Sequence, residues 1–211
     1  MSQTSLPLYP ADSTALLLVD PYNDFIHESG KFWSLVQTIA GEVHLLDHLR
    51  AVVAGARKAG IRVFFVPHHR WEPGDYEEWK FPTRVQAAAH KRQPFAKGSW
   101  GGTFHDDFQT RPGDVVVHEH WGASGFANTD LDQKLKQHGI ERIVVIGLLA
   151  NTCIEATARY GMELGYHVTL VKDATAAYSH EAMDAAHEIN GPTFAQEILT
   201  TDEFLTALAA A

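Results

Sequence analysis

Apolar residues along the chain fall into short continuous runs that alternate with stretches of helical spacing. The continuous runs have the length and the β-branched content of buried strands, and they span Thr14–Asp20, Ile61–Pro67, Asp114–His120, Glu141–Leu149 and Tyr166–Asp173. Elsewhere apolar residues recur three and four positions apart, which predicts helices over Ser34–Gly60, Thr129–Gly139, Asn151–Gly165, Glu181–Ile189 and Thr200–Ala210.

This alternation predicts an α/β fold with three α-β-α layers, Rossmann-like, in which a mostly parallel sheet carries helices on both faces. Right-handed crossovers place the carboxyl ends of the strands at one edge, where such sheets bind ligands. No linker or internal repeat divides the chain, so residues 1–211 are predicted to form a single domain. The segment Trp71–Arg111 follows neither pattern, and its many Trp, Phe, Pro and Gly residues indicate a long functional loop or lid.

Composition narrows the choice of partners and compartment. The chain has 211 residues, a formal net charge of -9 and no basic stripe with interleaved aromatics, so nucleic acid is not an expected partner. Its one cysteine cannot form an internal disulfide, which favours a reducing compartment. The segment MSQTSLPLYPADS lacks the pattern of a signal peptide, and no apolar run has the length of a membrane helix. A cytoplasmic protein without membrane contact is expected.

Reactive side chains stand at three strand ends. Asp20 ends the first strand, His118, Glu119 and His120 end the third, and Cys153 opens the helix after the fourth. In a parallel sheet these residues converge on one edge. The start of a helix stabilises anions, so Cys153 is predicted to be a thiolate nucleophile, although a small buried core residue fits its position as well. Asp20 is either the base that accepts the thiol proton or a turn cap.

Two long segments resemble the isochorismatase-like cysteine hydrolases, the superfamily that includes nicotinamidases and N-carbamoylsarcosine amidohydrolase. LLLVDPYNDF is similar to the opening strand, and the stretch from HWGASGFANT to VKDATAAYS is similar to the central block. The motif positions that carry the resemblance are Ser124, Phe126, Thr129 and Gly147. The resemblance implies a catalytic Asp, Lys and Cys, of which Asp20 and Cys153 match, and a cis peptide bond at Leu148–Leu149.

The family's lysine is missing. Counting back along the motif places Glu119 where the resemblance implies Lys, at the end of the third strand. A carboxylate beside Asp20 would raise one of the two pKa values and leave one acid protonated near neutrality. Alternatively, Lys97 reaches in from the loop, or His118 or His120 handles the proton, or the chemistry has changed or been lost.

The favoured function is hydrolysis of a small amide or a related carbonyl compound, without a cofactor. Cys153 attacks the carbonyl carbon, Asp20 transfers the proton, and Glu119 orients the substrate or shares a proton with Asp20. The remaining predicted site residues are the oxyanion-binding Leu149, Ala150 and Asn151, together with Trp121, Phe126 and Lys97.

Two other functions stay open. In the first, Asp20 acts as the general acid of an isochorismatase-type vinyl-ether hydrolase, and cationic side chains bind the substrate's carboxylates; the available cations are Arg70, Arg84 and Arg92. In the second, the protein binds a small molecule without turning it over.

Histidine and tryptophan residues give weaker signals. His68 and His69 end the second strand, in the region where nicotinamidases bind a metal, but the accompanying Asp is missing and neighbouring strand residues point in opposite directions, so no metal is predicted. Four tryptophans either wall an aromatic substrate pocket or form an oligomer contact, namely Trp71, Trp79, Trp100 and Trp121. Because the resembling family commonly forms oligomers, a homo-oligomer is expected.

Overall fold

A computed structural model describes residues 8–209 and shows a six-stranded sheet in the order β3-β2-β1-β4-β5-β6. All neighbouring strands in it are parallel. The strands are β1 (Thr14–Val19), β2 (Arg62–Val66), β3 (Val115–Val116), β4 (Arg142–Leu148), β5 (His167–Ala176) and β6 (Glu197–Leu199). The α-helices are α1 (Asn23–Ile26), α2 (Trp33–Glu42), α3 (Leu45–Lys58), α4 (Arg84–Arg92), α5 (Leu131–Gln137), α6 (Glu155–Glu163), α7 (His180–Asp184) and α8 (Thr201–Ala209).

The core lies on both faces of the sheet because successive side chains of a strand point in opposite directions. In β1, Leu16 and Leu18 pack on one face against residues of α2, α3 and α8. Leu17 points to the other face and packs with Leu131 of α5 and Ala158 of α6. The fully buried β1 therefore reads as a continuous apolar run, and the predicted three-layer α/β fold is confirmed.

Several predicted element bounds were wrong. The helix predicted over Ser34–Gly60 is two helices, because His44 adopts a left-handed conformation (φ 49°) between α2 and α3. The third strand has only two residues in the ladder rather than seven. The strand β6 was not predicted, and residues 71–111 contain the helix α4, whose Thr83 forms a capping box with Gln86.

Two predicted helices begin or end in wider turns. Ala150–Ile154 forms a π-helical turn before α6, and Ala185–Asn190 forms another after α7. Residue 210, the predicted end of the last helix, lies outside the described residues, as does the stretch 1–7 of the segment tested for a signal peptide. Within residues 8–209, none of the helices has the length and apolar character that spanning a membrane requires.

Candidate active site

Asp20 follows β1 directly and lies at the carboxyl edge of the sheet. The strand β1 is one of the two middle strands of the sheet. The backbone of Asp20 is left-handed (φ 54°), a conformation that Asp tolerates better than most residues, and its N–H donates to the Val66 carbonyl at 3.1 Å. The side chain is fully buried, and its Oδ2 has no hydrogen-bond partner among the described residues. A buried carboxylate of this kind requires neighbouring groups that compensate its charge.

The end of the neighbouring strand β4 is shaped by one glycine. Gly147 has a φ of 117°, and a Cβ at this position would lie 2.1 Å from the Val19 carbonyl oxygen. Only glycine fits, and the chain therefore passes close to the end of β1 just before the π-helical turn. The peptide bond Leu148–Leu149 is cis, as the resemblance implied.

Cys153 lies in the π-helical turn and is buried, with 8% of its surface exposed. Burial raises the pKa of its thiol well above the ordinary value, and the neighbouring Asp20 carboxylate acts in the same direction. The Thr152 hydroxyl and the Leu149 backbone act against this rise without reversing it. The prediction that the start of the helix lowers the pKa of this thiol was therefore wrong, since desolvation outweighs the helix.

His120 is the third member of the cluster. Its Nε2 lies 3.1 Å from Asp20 Oδ1 and its Nδ1 lies 2.8 Å from the Gly122 carbonyl oxygen. Both ring nitrogens face acceptors, so only the doubly protonated imidazolium donates both hydrogen bonds. Burial by itself would lower the pKa of His120, but the Asp20 carboxylate and the two hydrogen bonds raise it overall. A cation therefore stands beside Asp20.

Glu119 lies elsewhere, which corrects the predicted carboxylate pair. Its Oε1 accepts a hydrogen bond from Arg70 Nε at 2.6 Å, and its Oε2 accepts one from the Arg70 backbone N–H at 3.0 Å. His69 Nδ1 lies 3.3 Å from the same Oε2. Burial would raise the pKa of Glu119, but these partners lower it to about 2, so it is ionised rather than sharing a proton with Asp20.

Three further residues that the sequence offered for the site have other neighbours in the structure. Lys97 does not reach the cluster, because its Nζ pairs with Glu72 at 2.7 Å on the surface. Phe126 is a core residue on the α5 and α6 face, where its ring stacks on Tyr160 and Tyr166 with centroids 5.8 Å apart. The same apolar cluster contains Cys153, and 5% of the surface of Phe126 is exposed. His118 is exposed and pairs with Asp130.

The backbone that was predicted to bind an oxyanion lies at the start of the turn that carries the thiol. Leu149 and Ala150 are buried, whereas Asn151 is exposed. The Leu149 carbonyl accepts the N–H groups of Thr152 and Ile154 at 3.1 Å. Amides in the first turn of a helical segment have no acceptor within that segment, so those of the predicted residues have the character that an oxyanion site requires.

His68 and His69 do not form a metal-ligand pair. Nδ1 of His68 contacts the His69 carbonyl at 2.8 Å, and His69 uses its two ring nitrogens for Asp75 and Glu119. Within residues 8–209, the one set of three His, Cys, Asp or Glu side chains at metal-ligand spacing lies elsewhere. It consists of Asp20, His120 and Cys153, whose ligand atoms all lie within 4.8 Å of one another.

A cavity of about 680 Å³ is lined by residues close in sequence to Asp20 and His120, although Asp20, His120 and Cys153 do not line it themselves. Its lining includes Tyr22, Arg70, Glu119 and Trp121. The Trp121 ring stacks on His69 with centroids 3.5 Å apart and planes at 14°, which holds the ring as part of the wall. Tyr22 lines the cavity and is also close to Asp20. Burial raises the pKa of its phenol, and the charges of Asp20 and Glu119 raise it further.

Sequence reasoning did not single out Tyr178. This half-exposed phenol is close enough to Cys153 for a thiolate there to raise its pKa, after the larger effect of burial, while Arg92 acts in the opposite direction. Tyr178 thus lies near the thiol, and no local motif marks it. His120 did carry a local signal, because the polar and glycine-rich stretch that follows it indicates an early strand end.

Comparisons with known proteins agree with this architecture. The Isochorismatase domain model matches residues 14–203. The ureidoacrylate amidohydrolase RutB of Pantoea ananatis is 29% identical over 199 residues, which cover 90% of this chain and 74% of that protein.

Solved structures add to the likeness. The N-carbamoylsarcosine amidase from Thermoplasma acidophilum is 28% identical with a TM-score of 0.65, over 90% of this chain and 97% of that one. A cysteine hydrolase from Pseudomonas syringae pv. phaseolicola 1448A, 24% identical, shares the fold with a TM-score of 0.78 over 100% of both chains. Since the matched region runs from β1 into α8, the chain belongs to the isochorismatase family of hydrolases.

Proposed function

We propose that the protein is a cysteine amidohydrolase that cleaves the C–N bond of a small substrate bearing an amide or ureido group. The observation that carries the proposal is the buried cluster of Asp20, His120 and Cys153, with reactive atoms within 4.8 Å of one another. A thiol that burial keeps protonated needs a base in direct contact, and the Asp20 carboxylate supplies one.

The reaction proceeds through an acyl group on the sulfur of Cys153, which is a thioester for an amide substrate and a thiocarbamate for a ureido substrate. For an amide substrate, Asp20 accepts the thiol proton while the sulfur of Cys153 bonds to the carbonyl carbon, and the carbonyl electrons move to oxygen. Backbone N–H groups of Leu149, Ala150 and Asn151 stabilise this oxyanion. The C–N bond then breaks, and the leaving nitrogen takes the proton from Asp20. Water next attacks the thioester, gives a proton to Asp20 and expels the sulfur, which recovers that proton.

His120 takes the place of the lysine that the family resemblance implies. Its imidazolium, 3.1 Å from Asp20, compensates the buried carboxylate and, later, the thiolate that forms beside it. Glu119 has a separate role in this proposal, because its pair with Arg70 fixes a wall of the neighbouring cavity.

The proposed substrate class is supported by two relatives and by the surroundings of the thiol. Ureidoacrylate and N-carbamoylsarcosine, named for those relatives, each combine a carbamoyl nitrogen with a carboxylate. In this chain the charges of Arg92 and Cys153 both act on the phenol of Tyr178. We therefore propose N-carbamoyl or ureido acids as substrates, with the carboxylate facing Arg92.

The test is ammonia release from N-carbamoyl amino acids, ureidoacrylate and nicotinamide, together with release of the carbonyl product from a vinyl ether, by the wild type and by Cys153→Ala. The proposal expects that the wild type turns over ureido acids and that rapidly quenched samples contain a thiocarbamate adduct on Cys153. The variant should show neither turnover nor adduct. Amide turnover that survives in Cys153→Ala rejects the nucleophile. Cleavage of the vinyl ether alone, unaffected by the substitution, would favour Asp20 as a general acid.

A further inference from the structure

The three side chains of the cluster also have the composition of a metal site. Asp20 offers a carboxylate oxygen, His120 an imidazole nitrogen and Cys153 a sulfur, all within 4.8 Å of one another and all buried. We propose that these residues bind one Zn²⁺ ion, which blocks the thiol and makes the enzyme reversibly zinc-inhibited.

The donor set matches the preference of Zn²⁺. This ion is bound by sulfur, nitrogen and oxygen at about 2.0 to 2.3 Å, and sites with three protein ligands keep a fourth position open. Such bonds in a tetrahedron separate ligand atoms by roughly 3.3 to 3.7 Å. The ligand atoms of Asp20, His120 and Cys153 lie up to 4.8 Å apart, so they would have to move on the order of 1 Å to bind the ion. Side-chain rotation can supply such a movement.

Asp20 gives an independent reason to expect a cation. Its Oδ2 is completely buried and has no hydrogen-bond partner among the described residues, while Oδ1 contacts His120. An unpaired buried carboxylate oxygen is unfavourable. A metal ion bound between this carboxylate and the sulfur of Cys153 would satisfy it.

His120 is already oriented as a metal ligand. Its Nδ1 donates to the Gly122 carbonyl oxygen at 2.8 Å, and this leaves Nε2 as the nitrogen that faces Asp20 and the cluster. Metal-bound histidines almost always donate their second ring nitrogen to a carbonyl or carboxylate in this manner. A lysine at the same place would supply a cation but, in its ammonium form, no lone pair for a metal.

Binding has a direct chemical consequence. Zn²⁺ displaces the thiol proton of Cys153 and the Nε2 proton of His120 into solvent, and it occupies the sulfur and the carboxylate at once. No nucleophile or base then remains for catalysis. This inhibitory consequence rests on the proposed function, whereas metal binding does not.

The experiment uses Co²⁺ as a spectroscopic probe and Zn²⁺ as its competitor, on full-length protein stripped with EDTA and freed of chelator. We expect one Co²⁺ per chain, an intense visible spectrum typical of tetrahedral coordination, and a near-ultraviolet thiolate band that added Zn²⁺ removes. Cys153→Ser should lose the thiolate band. His120→Lys should weaken binding by more than the roughly 10- to 100-fold that loss of an outer partner alone costs.

His118→Gln is the matched control, since His118 is a neighbouring but exposed histidine, and its Co²⁺ spectrum should equal that of the wild type. Circular dichroism verifies that each variant is folded. Absence of the thiolate band in the wild type, or its persistence in Cys153→Ser, overturns the proposal. If His120→Lys does not fold, the isosteric Cys153→Ser variant still decides.

The two proposals fail separately. Wild-type protein in EDTA that shows no amidase activity, while its stripped form gives the thiolate band with Co²⁺, contradicts the proposed function and leaves the metal site standing. Full activity that micromolar Zn²⁺ does not reduce, with no thiolate band, overturns the metal site and supports the amidase.

Discussion

Replacing His120 with Ala should destabilise the protein strongly, because it removes one partner of a completely buried ion pair. Both side chains are fully buried, and the contact between Nε2 and Asp20 Oδ1 is 3.1 Å. Removing one partner of such a pair leaves an uncompensated buried charge, which costs about 3 to 5 kcal/mol. The matched variant His118→Ala removes an exposed ion pair with Asp130, and we expect it to lose no more than about 1 kcal/mol.

The loss should depend on pH in a defined direction. The pKa of His120 is raised in the folded state, mainly because Asp20 and the two hydrogen bonds overcome the effect of burial. Because the pKa is raised on folding, the imidazolium contributes fully to the free energy of unfolding below the pKa of histidine in the unfolded chain, which is about 6.5. This contribution disappears as pH rises through the pKa of His120 in the folded protein. The difference between wild type and His120→Ala should therefore be largest at about pH 6 or below.

Equilibrium urea unfolding in EDTA, followed by circular dichroism from about pH 5.5 to 9, measures both effects. The reasoning is refuted if His120→Ala loses no more stability than His118→Ala. It is refuted equally if the stability difference between wild type and His120→Ala widens with increasing pH, because a neutral imidazole would then be the stabilising form.

Further outcomes follow from the same structure. Asp20→Asn should abolish turnover yet speed alkylation of Cys153 by iodoacetamide near pH 8, because the carboxylate raises the pKa of the thiol; slower alkylation, read by intact mass, contradicts this. Glu119→Gln should cost about 1 kcal/mol at pH 7. The pKa of Glu119 is lowered to about 2, so its contribution is present above the unfolded value and lost as pH falls toward 2; unfolding at pH 7 and 3 shows whether the loss shrinks. Phe126→Ala should lose about 3 to 5 kcal/mol in thermal or urea unfolding, and a loss below about 1 kcal/mol would place the ring outside the core.

The active-site edge shows where sequence reasoning succeeds. Buried parallel strands must be apolar throughout, so β1 and β4 are visible as continuous runs, and a residue directly after such a run must lie at the carboxyl edge. This logic placed Asp20 and Cys153 at the same edge of the sheet without coordinates. The cis peptide bond after Gly147 was expected only because the family resemblance implies it.

The third side chain of the cluster required the tertiary structure. Alternation along a strand tells which residues share a face only while the ladder continues. The ladder of β3 ends at Val116, and the chain rejoins its neighbour only at the bridge between His68 and His120. That departure turns Glu119 toward Arg70 and His120 toward Asp20.

The amino-acid pattern by itself determined the layers of the fold, the edge that carries the chemistry, and the positions of the acid and the thiol at that edge, because each follows from local periodicity. Only the three-dimensional structure decided that an imidazolium compensates the acid, that the thiol is protonated by desolvation, and that Phe126 packs in the core. These properties depend on burial and on neighbours that are distant in the chain, and no local pattern encodes them.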